Sequence, residues 1–423
     1  MGLVERLGVL KEPDYRRLFW GRTISLVGDG IAPIAIAFAV LDLTGSATDL
    51  GIVLAAHSLL MIALVLVGGV YADRISPRRA MLGADLVRMA AMGVIAALLI
   101  ADAAEIWQLA LLYAVEGAAT AFFNPASSAI VPQVVSAARL QEANALLNLS
   151  RSVGRVAGPA LAGVLLALGT PGWALAADAL TFGLSAAFLL RLNAPLLRVE
   201  AVTSFAAELR HGWTEFSSRT WLWVAVGSAA ITNAIFFPAF QVLGPTVAAS
   251  SLGGSSAWAL IAACFGAGAV VGGLLALTFR PKRPLLVGEG VLVVFALPIA
   301  LLAGPSPVLV IALGALVTGV GLSLAEVLYE TVAATLIPQE SLSRVNAYDW
   351  FGSLALEPLG MALIGPLAMG LGTSPTLWAA AAILVACPLI VVAVPSVRRL
   401  ELPLVPSPAP APALTVRPIE PGD

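Results

Sequence analysis

Residues 68–79 read Gly-Gly-Val-Tyr-Ala-Asp-Arg-Ile-Ser-Pro-Arg-Arg and join two long apolar stretches. Part of this pattern returns 204 residues later, where Gly272-Gly273 precedes the basic pair Lys282-Arg283. Two further dipeptides repeat at a similar offset: Pro132-Gln133 with Pro338-Gln339, and Asn144-Ala145 with Asn346-Ala347. The shared spacing predicts a duplicated helical unit, one copy in each half of the chain, with a site between the copies.

The composition excludes several classes of protein. Of the 423 residues, 59% are hydrophobic and 11% are charged, whereas a soluble domain is about half apolar and about a quarter charged. An ordinary soluble enzyme and a disordered chain are therefore excluded. The net charge of −2 also argues against nucleic acid as a partner.

Twelve apolar stretches are long enough to cross a membrane. Each must be a helix, because backbone polar groups in hydrocarbon have to be satisfied within the segment. We expect these helices at 17–42, 48–72, 80–101, 106–130, 141–168, 172–192, 219–245, 256–279, 284–303, 308–336, 343–371 and 375–396. Apart from Arg22, Arg88, Arg151 and Arg155, the basic residues fall in alternate loops, which predicts two cytoplasmic termini. Arginine is far commoner than lysine, as in many bacterial chains, so we expect a multi-pass protein of a bacterial inner membrane.

This map divides the chain into four parts. We expect a first six-helix bundle over 1–195, a cytoplasmic linker over 196–218 and a second bundle over 219–396. The linker is expected to contain an amphipathic helix near Phe205–Phe216. The Pro-rich tail, 397–423, is expected to be disordered in the cytoplasm.

The quoted loop resembles, in outline, the signature G-x-x-x-D-R-x-x-R-R of the major facilitator superfamily. The matching residues are Gly69, Asp73, Arg74, Arg78 and Arg79. The resemblance implies an all-α membrane fold of two pseudo-symmetric six-helix bundles, and a loop that latches one conformation of a transporter. We expect Asp73 to cap a helix and the arginines to pair with acids on adjacent helices. Since Leu277 replaces the aspartate in the second copy, the latch is expected in the first half alone.

A second motif lies in the fifth span. Residues 154–163 read Gly-Arg-Val-Ala-Gly-Pro-Ala-Leu-Ala-Gly and are similar to the antiporter motif G-x-x-x-G-P-x-x-G-G. The residues concerned are Gly154, Arg155, Gly158, Pro159 and Gly163. The resemblance implies an exporter, and over 15 to about 396 the chain resembles the enterobactin-exporter and macrolide-efflux branch of the drug:proton antiporters. The same small residues would also suit tight helix packing, with no bearing on transport direction.

Ionisable residues within the spans are candidates for proton coupling. Such groups are costly in a bilayer and persist when they pair, face water or have a function. We place Asp29, Glu116, Arg155 and Glu357 near mid-depth. A carboxylate without a cationic partner tends to bind a proton in such surroundings, and acids outnumber bases here. The predicted proton-coupling residues are Asp29, Glu116, Glu326, Glu330 and Glu357.

Structural alternatives remain open for these residues. Asp29 could be a hydrogen-bonded structural residue. Glu326 and Glu330, four residues apart, share a helix face and could form a cytoplasmic gate with Arg22 or Arg344. Asp85 and Arg88, placed nearer the cytoplasm, are interpreted as a structural ion pair. Arg155 and Glu357 occupy equivalent positions in the two repeats, and helix rotation decides whether they meet.

Five residues are candidates for a substrate cavity: Asn233, Phe236, Phe237 and Gln241 in the seventh span, and Trp350 in the eleventh. Aromatic side chains with a few amides suit an amphipathic organic molecule. Aromatic residues on a membrane helix also commonly face lipid or the protein core, and that alternative stays open.

Together these features predict a proton-coupled antiporter that exports hydrophobic or amphipathic small molecules such as drugs, antibiotics or siderophores by alternating access. The nearest alternative is an uptake symporter or facilitator on the same fold, and a receptor or scaffold that transports nothing is an alternative of another class. An enzyme is not expected, since the two histidines, His57 and His211, supply no convergent catalytic or metal-ligand set. The expected partners are the substrate, protons and lipid, for a monomer driven by a proton gradient with no metal, cofactor or ATP site.

Overall fold

The computed structural model describes residues 8–74, 76–193 and 213–401, with side chains except at 66–74, 137, 339–344 and 347. Within these ranges the chain is helical almost throughout, and twelve spans are long and apolar enough to cross a membrane. The predicted all-α fold with twelve spans is confirmed. The predicted linker helix near Phe205–Phe216 and the Pro-rich tail fall largely outside the described ranges.

The helices begin and end close to the predicted positions. In chain order they are α1 Pro13–Thr44, α2 Ala47–Arg74, α3 Pro77–Ile100, α4 Ile106–Ala129, α5 Leu140–Leu168, α6 Pro171–Leu190, α7 Thr220–Leu252, α8 Ser255–Ala276, α9 Pro284–Ala303, α10 Val308–Leu336, α11a Gln339–Leu354, α11b Glu357–Leu371 and α12 Thr373–Ala393. Proline opens α1, α3, α6 and α9, where its missing N–H has no helical partner to lose.

Three spans of the second half differ from the prediction. The helix α7 continues past residue 245 through two π-helical turns, Ala239–Leu243 and Ala248–Leu252, and α9 narrows to a 3-10 turn at Leu292–Phe295. The helix expected over 343–371 is present as one span, but it is kinked between α11a and α11b, where Ala355 and Leu356 keep helical backbone angles. Pro358 explains the interruption, since it has no N–H to donate to the carbonyl of Leu354.

The internal repeat is visible in the packing of the helices. In the first half α2 packs along α4 and α1 along α6, and in the second half their counterparts pair in the same way, α8 with α10 and α7 with α12. The chain therefore forms two six-helix bundles of the same design. The repeated dipeptides of the sequence correspond to repeated places in the fold.

The two bundles contact each other through α2 with α11b and α5 with α8. A Cβ built on Gly365 would lie 2.5 Å from the Cα of Thr48, and one built on Gly163 would lie 2.7 Å from the Cβ of Ala259. Both pairs lie toward the helix ends that the basic residues predict to be outside. The bundles are therefore in backbone contact on that side.

Candidate transport site

A buried arginine in α3 contacts carboxylates from several helices. The Nε atom of Arg88 donates to Oε1 of Glu116 at 2.8 Å, and its Nη2 atom donates to Oδ1 of Asp29. A third carboxylate, that of Asp85, lies 3.8 Å from Nη1. The guanidinium also lies over the ring of Phe182, 3.9 Å from its centre. A planar, multiply donating cation can hold several carboxylates in this way, whereas a lysine could not.

Glu116 of α4 is held on both of its oxygens. Oε1 accepts from Arg88 and, at 2.8 Å, from the hydroxyl of Thr120 one turn further along the helix. Oε2 lies 2.8 Å from Nε2 of His57 in α2. The side chain is 7% exposed, so a cation and two further donors compensate a carboxylate that is otherwise shielded from water.

The antiporter-like motif brings α1 to this cluster. A Cβ built on Gly158 would lie 2.5 Å from the Cα of Gly30, and one built on Gly30 would lie 2.8 Å from the carbonyl oxygen of Gly154. The backbones of α1 and α5 therefore touch at the residue next to Asp29, which only glycine permits. Pro159 packs at the same crossing, while Gly163 meets α8 of the other bundle.

Asp29 is the most accessible carboxylate around Arg88. Its side chain is 33% exposed, against 7% for Glu116 and none for Asp85. A second buried arginine, Arg22, lies on the same helix and interacts electrostatically with Asp29. Asp29 is therefore the least enclosed carboxylate of the cluster.

The structure corrects the expected ion pairing. Asp29 and Glu116 do not lack a cation, because they share Arg88. Arg88 lies at the depth of these two residues and not nearer the cytoplasm, and Asp85 is its more distant neighbour rather than its main partner. The proton-coupling roles of Asp29 and Glu116 stay predictions.

A cavity of about 600 Å³ opens among α7, α9, α10 and α11a of the second bundle. Its described lining includes four carboxylates but no lysine or arginine. The acidic residues are Glu289, Glu326, Glu330 and Asp349, and the polar and aromatic ones include Asn233, Phe237, Tyr329 and Trp350. This size and lining suit a drug-sized molecule with an apolar body and a positive charge. A cavity of similar size at the outer ends of α7 and α9 has no charged residue in its lining.

Three of the five predicted cavity residues line the acidic cavity: Asn233, Phe237 and Trp350. The other two predicted residues do not line this cavity. Phe236 is fully buried and packs against Phe240 and Phe295 in the bundle core, and Gln241 lies on the first π turn, away from the lining. The extra residue of a π turn rotates the helix face, which periodicity along the sequence does not show.

Arg155 and Glu357 do not pair with each other. Glu357 interacts with the hydroxyl of Ser58 and electrostatically with His57, both on α2. Arg155 is exposed where α5 meets α8, and it acts electrostatically on Glu326. Each of the two residues thus faces an ionisable group of the opposite bundle.

The predicted latch is described in part. Arg78 donates from Nε to the carbonyl of Leu189 at 2.8 Å and from Nη2 to that of Leu190 at 2.6 Å. It therefore binds the end of α6, and its described partners are these carbonyls rather than the expected acid. Arg79 is exposed, and the side chains of Gly69, Asp73 and Arg74 are outside the described set.

Sequence reasoning missed His57 and the central place of Arg88. A usable signal was present, because α2 and α4 run in the same direction and His57 and Glu116 each lie ten residues after the start of their helix. At 1.5 Å per residue both are about 15 Å deep. A comparison of residue depth between α2 and α4 would have predicted that His57 and Glu116 lie at the same level of the membrane.

The fold and the site together define a polytopic membrane transporter, with two six-helix bundles and ionisable groups at mid-depth. Residues 18–354 match the model of the Major Facilitator Superfamily, and the chain belongs to that family. Its similarity to a solved structure of the nucleoside transporter NupG has a TM-score of 0.72 at 14% identity, over 90% of this chain and 98% of that one. At this identity the likeness shows the fold alone.

Curated relatives include efflux proteins. The chain is 28% identical over 399 residues to the multidrug efflux pump Tap of Mycolicibacterium fortuitum, which is 89% of this chain and 94% of that protein. It is 25% identical over 263 residues to macrolide efflux protein A of Streptococcus pyogenes, covering 60% of this chain and 64% of that protein. The predicted resemblance to the macrolide-efflux branch is confirmed.

Proposed function

We propose that the protein is a proton-coupled antiporter of the bacterial inner membrane that exports amphipathic small molecules, and that its acidic cavity favours cationic ones. The arrangement of Asp29 and Glu116 around Arg88 carries this proposal. The region around Arg88 also contains Asp85, Asp178 and the second arginine, Arg22. Four carboxylates therefore face two arginines, and the excess of acid gives protons a place to bind.

Proton binding at Asp29 has a mechanical consequence in this geometry. A neutral Asp29 no longer attracts Arg88, which Glu116 and Asp85 still hold in place. The contact between α1 and α3 is then weakened, while the glycine crossing keeps α1 against α5. Protonation thus changes the contacts between helices of the first bundle, as coupling of a proton to movement of a bundle requires.

The acidic cavity supports the choice of substrate. Glu326 and Glu330 lie in one wall, and Phe237 and Trp350 supply aromatic faces. A cation bound here replaces protons as the compensating charge of the carboxylates. Protons and a cationic substrate would therefore compete, and competition of this kind links their opposite movements. Export by relatives named as multidrug and macrolide efflux proteins supports the direction.

Ethidium uptake into inverted membrane vesicles tests this function. A pH gradient, acidic inside the vesicle, should drive uptake, nigericin should stop it, and Asp29→Asn should abolish it. Asp102→Asn is the matched control, because Asp102 is exposed in the turn after α3 with a φ of 51°, a conformation that asparagine tolerates. Net accumulation of ethidium by whole cells that express the protein would instead support an uptake symporter or facilitator.

A further inference from the structure

His57 interacts with ionisable groups of both bundles. Its Nε2 atom is 2.8 Å from Glu116, and its ring stacks on that of Tyr113 with centres 4.4 Å apart. It also interacts electrostatically with Glu357, which contacts the neighbouring Ser58. The side chain of His57 is 20% exposed. The imidazole therefore contacts a carboxylate of the first bundle and lies within electrostatic range of a carboxylate of the second.

The helices that carry His57 and Glu357 are held together across the bundle interface. A Cβ on Gly51 would overlap the carbonyl oxygen of Met361, and one on Gly365 would lie 2.5 Å from the Cα of Thr48. These contacts occupy the outer turns of α2 and α11b, about two turns from His57 along α2. A change of charge at His57 therefore acts on a helix that forms part of the interface between the bundles.

Glu357 lies at a proline kink of α11. The carboxylate belongs to the first residue of α11b, directly after Ala355 and Leu356, which keep helical backbone angles although the hydrogen-bond ladder is interrupted before Pro358. In many transporters a proline-interrupted span marks an ion or substrate site.

We propose that His57 is a proton-binding site that links the bundles, by passing a proton between Glu116 and Glu357. The proposal rests on the antiport function above and adds a residue to it. A second proton on the ring makes an imidazolium that attracts both carboxylates. When that proton moves from the ring to Glu357, one N–H bond breaks and one O–H bond forms, which leaves a neutral imidazole and a neutral carboxylic acid.

The groups that face His57 come from three helices. Glu116 and Tyr113 belong to α4, Glu357 to α11b, and Arg88 of α3 reaches it through Glu116. With the imidazolium present, both carboxylates have a cation and the interface between α2 and α11b is stabilised. Without it, an ionised Glu357 keeps only the hydroxyl of Ser58 among these contacts. Protonation of His57 thus favours contact between the bundles at this level.

Distance measurements between spin labels test the proposal without a substrate. The free cysteines Cys264 and Cys387 are replaced by alanine, and labels are placed at the exposed residues Ser136 and Ser217, one at the predicted cytoplasmic end of each bundle. In reconstituted full-length protein we expect the label distance to differ between buffers of about pH 5 and about pH 8. His57→Gln should remove this transition, and His211→Gln, a histidine of the linker, should leave it.

A second variant keeps the test decisive if His57→Gln does not fold. Glu357→Gln retains the shape of the side chain and should also remove the transition. A transition that survives in folded His57→Gln or in Glu357→Gln would overturn the proposal. If the transition depends on His57 but the parent protein shows no pH-driven ethidium exchange, antiport fails while the role of His57 in joining the bundles stands.

Discussion

Gly158 of α5 packs directly on Gly30 of α1, so that a Cβ on Gly158 would lie 2.5 Å from the Cα of its partner. Asp29 is the neighbour of Gly30 in sequence and bonds to Arg88 of α3. The motif that resembles an antiporter signature is thus a packing motif with a chemical consequence. It sets the distance at which an accessible carboxylate meets a buried arginine.

A larger side chain at the contact between α1 and α5 should lower both the stability and the transport activity of the protein. We expect Gly158→Ala to lower the free energy of unfolding by about 1–3 kcal/mol, because the backbones of α1 and α5 must separate, and to slow ethidium transport. Thermal unfolding in detergent measures the first effect. Gly227→Ala in α7 is the control, since a Cβ there meets nothing within 4 Å. Equal stability of the two variants would contradict the packing role.

Replacing Arg88 should destabilise the folded protein more than replacing any single acid around it. Arg88→Gln leaves Asp29, Asp85 and Glu116 without their common cation, and loss of one partner of a buried ion pair costs about 3–5 kcal/mol. We expect a large fall in the unfolding temperature. Adding Glu116→Gln should restore part of it, because one uncompensated charge is removed. Absence of any rescue in the double variant would argue against direct coupling of these two side chains.

Arg78 should matter for stability where its neighbour does not. Arg78→Ala removes two hydrogen bonds to the end of α6, and we expect a loss of about 1–3 kcal/mol, because each hydrogen bond contributes roughly 0.5–1.5 kcal/mol of net stability. Arg79→Ala is a matched control, since that side chain is exposed. Chemical denaturation of both variants would compare them, and similar curves would show that the contacts of Arg78 contribute little.

Trp350 should contribute to binding of cationic substrates. It lines the acidic cavity and is 55% exposed, while Trp378 of α12 is 54% exposed and lies outside that lining. Loss of a cation–π contact costs roughly 1 kcal/mol, so Trp350→Ala should raise the Kd for ethidium about fivefold. Trp378→Ala should not change it. Fluorescence titration of the purified variants gives both values, and equal Kd values would place ethidium elsewhere.

Residues that stand out along a single helix were predictable, and residues whose place depends on neighbouring helices were not. Asp29, Glu116 and Glu357 were recognised because an ionisable residue stands out in a long apolar helix. Phe236 packs in the bundle core rather than in the cavity because its face of α7 meets Phe240 and Phe295, which the sequence of α7 alone does not reveal. His57 was passed over because nothing along α2 reveals the carboxylates on α4 and α11b.

The sequence by itself determined that the chain is a duplicated set of twelve apolar helices, since in hydrocarbon each span must satisfy its own backbone hydrogen bonds. Tertiary structure alone decided that Arg88 serves several acids, that His57 contacts Glu116 and that Arg78 binds the end of α6. The physical reason is that helix rotation and spacing depend on contacts between residues far apart in sequence, such as Gly30 with Gly158. The local hydrophobic pattern does not predict those contacts.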